Sequence, residues 1–127
     1  MGSRILTAAA AAAAVAWGAA APASAQVSDR LVADFIDACV VGMGSEPGTE
    51  DIDLTAVCGC LADTLVAQLS PADAEAMLGT AAVTEPGGDF ETNLRERTGM
   101  DDAAMQAFQQ RVMPVLRTAD EQCLPQQ

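Results

Sequence analysis

The residues best equipped for chemistry are four cysteines, Cys39, Cys58, Cys60 and Cys123. Cys58-Gly59-Cys60 sets two sulfurs one residue apart, and such thiols exchange disulfides or bind soft metals when one is exposed as a thiolate. Met43, Met77, Met100, Met105 and Met113 add thioethers, which together with thiolates favour Cu(I). Other features weigh against this chemistry. The spacing is not Cys-x-x-Cys, no His or Lys stands nearby to stabilise a thiolate, and the methionines do not cluster as Met-x-Met repeats. Met100 is expected to staple a helix start to Met105, and Met77 and Met105 fall where core residues belong. A disulfide framework is the stronger reading of four cysteines in a small exported chain.

Helical geometry ranks the three possible pairings. On a helix Cys58 and Cys60 point about 200° apart, too far for a mutual bond, so each must reach a different neighbour. In an antiparallel hairpin the end of the first helix lies beside the start of the second, which brings Cys39 level with both. One of the two then bonds Cys39 and the other Cys123, with the choice between Cys58 and Cys60 left open.

Composition removes most other chemistries. The chain has 127 residues, 18 of them Asp or Glu against 6 Arg, with no Lys, His or Tyr and a net charge of −12. Without imidazole there is no Ser-His or Cys-His nucleophile pair and no His ligand for a metal. Without Lys there is no Schiff-base amine and no phosphate-loop lysine, and the scattered Arg residues form no basic stripe for nucleic acid. Anionic lipid surfaces repel such a chain, whereas a basic protein partner is attracted. No cofactor site is expected. Glu46, Glu50, Asp51 and Asp53 crowd one segment but lack a calcium-loop pattern, so a solvated acidic turn is expected there. Glu91 precedes Arg95 by four residues, the spacing of a surface ion pair.

Residues 1–25 have the three parts of a secretory signal peptide. Arg4 supplies the positive start, Ile5 to Ala21 the apolar core, and Ala23-Ser24-Ala25 the cleavage site. The position after the cut is Gln26 rather than Cys, so no lipid anchor is indicated, and no membrane association is expected after cleavage. Residues 26–127 then form a single helical domain with a net charge of −13. A domain of about 100 residues buries roughly 60 to 70% of its unfolded surface, a margin that disulfides would widen.

Punctuation cuts this domain into four or five helices. Ser28 caps the first, which carries Leu31, Val32, Phe35, Ile36 and Cys39 on one face and stops at Gly42 and Gly44. The second starts near Asp53 or Thr55 and turns Leu54, Val57, Cys58, Leu61, Leu65 and Leu69 inward. Ser70-Pro71 then opens the third, with Asp73 placed to complete a capping box. A short fourth runs from Asp89 to Thr98 before Gly99. The fifth is the longest, capped by Asp101, with Met105, Phe108, Val112, Ala119 and Cys123 along one stripe. Pro114 lies about 160° from Val112 around the axis, so it is expected to bend this helix on its outer side without breaking it. No alternating strand pattern occurs.

The sequence therefore predicts an all-α fold, a small bundle of four to five short antiparallel helices stapled by two disulfides. It also predicts a periplasmic or secreted, non-catalytic protein that presents an acidic surface to another exported protein with a basic surface. The competing expectation is a thiol redox or Cu(I)-handling protein acting through Cys58-Gly59-Cys60.

Overall fold

A computed structural model describes residues 27–125, so the proposed signal peptide lies outside the described residues. Five helices occur in order: α1 (Asp29–Gly44), α2 (Leu54–Gln68), α3 (Pro71–Val83), α4 (Phe90–Thr98) and α5 (Asp102–Cys123). There is no strand among the described residues.

Each helix begins at a residue whose side chain satisfies an orphan amide. Ser28, Asp53, Ser70, Asp89 and Asp101 accept from the backbone N–H of Leu31, Ala56, Asp73, Thr92 and Ala104 respectively, at 2.8 to 3.2 Å. Such a cap contributes about 1 kcal/mol. Pro71 occupies the first turn of α3, where its missing N–H costs nothing. The ends differ in kind. α4 stops at Gly99, whose φ of +69° is left-handed, and its N–H bonds the Arg95 carbonyl at 2.8 Å. α1 passes through Gly42 and ends only after Gly44, because the Ser45 N–H still reaches the Val41 carbonyl four residues back, at 3.2 Å.

Apolar positions at helical spacing then decide the packing. α1 lies against α2 and α3, α2 against α5, and α4 rests on α3. Phe35, Leu65, Leu78, Leu94, Met105 and Phe108 meet in one core, and burying side chains of this size contributes roughly 2 kcal/mol each. Met105 is buried in it, whereas Met77 and Met100 are partly buried and pack against its edge. α5 runs unbroken through Pro114, which is exposed. Val112, two residues earlier, is 2% exposed, so the helix turns its proline to solvent and its stripe to the core.

α4 has only nine residues, too short to be stable by itself. Leu94 anchors it in the core. Arg95 bridges outward to Glu91 at 3.1 Å, the expected pair, and to Asp102 at the start of α5 at 2.7 Å, which sequence spacing does not suggest.

Candidate functional site

Two disulfides staple the bundle: Cys39 to Cys58, joining α1 to α2, and Cys60 to Cys123, joining α2 to α5. No cysteine is free. The opposed directions of Cys58 and Cys60 account for the arrangement, since consecutive alternate positions on α2 face different neighbours. The Cα atoms of the bonded pairs are 5.9 and 5.6 Å apart, within the ordinary range for a disulfide. The choice left open by the sequence falls to Cys58 for Cys39. Cys58 is fully buried, whereas Cys39, Cys60 and Cys123 are half-buried. Cys58-Gly59-Cys60 is thus not a dithiol in this state; its sulfurs belong to separate bonds on opposite sides of α2.

The surroundings of the two bonds also differ. Met43, one turn after Cys39, places its Sδ 3.8 Å from both Cys39 Sγ and Cys58 Sγ. Beside the other bond, the Thr64 hydroxyl lies 3.6 Å from Cys123 Sγ and donates to the Cys60 carbonyl at 2.9 Å. Of the methionines, Met43 alone has this relation to a disulfide among the described contacts. Its i, i+4 spacing from Cys39 is the signal in the sequence that points to it.

The acidic segment between α1 and α2 is structural at its end, where Asp53 caps α2. Among the described residues no group of three or more His, Cys, Asp or Glu could hold a metal ion.

A surface groove lies where α1 faces the end of α3 and the turn that follows. Two adjoining depressions of about 440 Å³ each share Ala38, Thr84, Glu85 and Pro86. One extends over Val41 and Val83, the other over Phe35, Cys39 and Met43. Val41 and Val83 are 61% and 57% exposed, large values for apolar side chains on packed helices. Asp34, Asp37, Glu46 and Glu85 are the charged residues lining it, and all four are acidic.

Local chemistry fixes the groove's far wall. Gly87 has a φ of +79°, which lets the chain reverse so that the Gly88 N–H bonds the Glu85 carbonyl at 2.8 Å. Thr84 ties this turn to α3 and α4 together: its hydroxyl donates to the Thr80 carbonyl at 2.7 Å and accepts from Asn93 Nδ2 at 3.0 Å. The groove combines residues 34–46 and residues 81–90 with Leu61 of α2, so no single motif announces it.

No family model matches this chain, no curated protein is significantly similar to it, and no solved structure matches it. No helix among the described residues is long and apolar enough to cross a membrane.

Proposed function

We propose that this is a small exported, non-catalytic interaction protein whose groove between α1 and the α3–α4 turn takes a basic amphipathic segment of another exported protein. The observation that carries the reading is the pairing of exposed Val41 and Val83 with a lining whose charges are all acidic. An apolar floor supplies the contact area for one face of a docked segment. Carboxylates along the rim attract and orient its Lys and Arg residues and repel acidic competitors.

Two disulfides are compatible with an oxidising compartment, in keeping with the signal peptide predicted for residues 1–25. Intact mass of the exported protein tests this part: the expected chain begins at Gln26, and a mass retaining residues 1–25 counts against cleavage.

Docking is tested by calorimetric titration with a synthetic amphipathic peptide carrying Lys and Arg along one face. The expected binding weakens as salt rises, and Asp37→Asn with Glu85→Gln weakens it at least tenfold at low salt. Affinity unaffected by salt and by those substitutions would overturn the charge-guided reading.

A further inference from the structure

Three sulfurs from two helices share one spot at the groove's inner end. Met43 Sδ is 3.8 Å from the sulfur of Cys39, on its own helix, and 3.8 Å from that of Cys58, on α2. Cys39 and Met43 line the groove, whereas Cys58 is fully buried beneath them.

We propose that reduction of the Cys39–Cys58 bond unmasks a Cu(I) site made of the two thiolates and the Met43 thioether. Thiolates and thioethers are the ligands that select Cu(I), and a three-sulfur set leaves Zn²⁺ short of the four protein ligands of its structural sites. Three sulfurs in a plane, each about 2.3 Å from a central metal as in zinc–thiolate bonds, lie about 4 Å from one another. Two edges of that triangle are already in place at 3.8 Å. The third edge is spanned by the disulfide, and its cleavage frees the sulfurs to separate by side-chain rotation while Cα atoms 5.9 Å apart stay where they are. Glu46, also lining the groove, adds a negative charge on the approach of a cation.

The redox step balances with a dithiol as reductant. One reductant thiolate attacks Cys39 Sγ, the partner reached from the groove, and Cys58 leaves as a thiolate that takes up a proton. The second reductant thiol displaces Cys39 in turn, so two electrons and two protons pass to the protein and the reductant leaves as its own disulfide. Cu(I) then replaces both thiol protons. The proposal rests on the sulfurs alone and does not depend on what occupies the groove.

The test reduces the full protein anaerobically with a water-soluble phosphine, which takes the oxygen of one water molecule, and removes the phosphine by desalting because phosphorus donors also bind Cu(I). Cu(I) is then titrated against a coloured chelator, and the loaded protein is alkylated and mapped by mass spectrometry. The expected result is one Cu(I) bound by the reduced chain and none by the oxidised chain, with Cys39 and Cys58 protected and Cys60 and Cys123 alkylated. Met43→Leu is expected to weaken binding about tenfold or more, and Met113→Leu, on an exposed residue elsewhere, to leave it unchanged. Should reduction loosen the helices, Cu(I) restores the far-ultraviolet helical signal in the wild type. No binding, protection of Cys60 and Cys123 instead, equal affinity in Met43→Leu, or a reduced chain that stays unfolded with Cu(I) would each overturn the proposal.

Discussion

Arg111 on α5 holds the carboxylate of Asp73 at the start of α3 through two hydrogen bonds, from Nε to Oδ2 at 2.8 Å and from Nη2 to Oδ1 at 3.0 Å. The same guanidinium lies 5.9 Å from the centre of the Phe108 ring. A fork of donors on a planar carboxylate fixes orientation as well as distance, so the pair ties α5 to the first turn of α3. Asp73 was placed by sequence to complete a capping box with Ser70; Ser70 does cap the Asp73 amide, but the carboxylate is turned chiefly to Arg111.

The pair predicts an acid-range stability change. Hydrogen bonding from Arg111 lowers the Asp73 carboxyl below its ordinary value of 3.8, against the opposing effect of burial. A carboxyl whose folded value is depressed contributes its full stabilisation above 3.8 and loses it as pH falls through the lowered value. Urea unfolding of Asp73→Asn across this range is expected to show a shallower loss of stability on acidification than the wild type. Parallel acid limbs would count against the assignment.

The staples are expected to contribute unequally. Chain-entropy reasoning gives about 3 kcal/mol for the loop closed between Cys39 and Cys58 and about 4 kcal/mol for the longer one between Cys60 and Cys123. Denaturant midpoints of Cys39→Ala/Cys58→Ala and Cys60→Ala/Cys123→Ala check the order, with Ala chosen because Cys58 is buried. Thermal unfolding left unchanged by full reduction would contradict the stapling role altogether.

Two threonines one turn apart should respond to the same substitution with opposite signs. Thr80 is fully buried, and its hydroxyl has no hydrogen-bond partner among the described residues. Thr80→Val keeps the shape and removes a desolvated polar group, so it is expected to raise stability by about 1 kcal/mol. Thr84 uses its hydroxyl twice, towards Thr80 and Asn93, so Thr84→Val is expected to lower stability by about 1 kcal/mol. Chemical denaturation of the two variants side by side decides the matter.

Features set by local chemistry were legible in the sequence. Ser28, Ser70 and Asp101 announce helix starts because short polar side chains bond the amides two or three residues on, and Gly99 announces an end because it accepts a left-handed conformation. The 100° advance per residue separated Cys58 from Cys60 and turned Pro114 outward. Relations between distant segments were not legible. Asp73 and Arg111 are 38 residues apart, and only the folded bundle brings them together. The choice of Cys58 for Cys39 depends on the rotation of α2 about its axis, which core packing decides. The groove is composed of side chains from α1, from α2 and from the end of α3 with its following turn, none of which announces it by itself.

The central claim is that a basic segment docks on the apolar floor between α1 and the α3–α4 turn. A titration of the ¹⁵N-labelled protein with a Lys- and Arg-rich amphipathic peptide, followed by two-dimensional NMR, tests it most directly. The account predicts saturable shifts centred on Ala38, Val41, Val83 and Glu85 that shrink as salt is added. Shifts absent at peptide saturation of the sample, or centred instead on the exposed face around Met113, would contradict it.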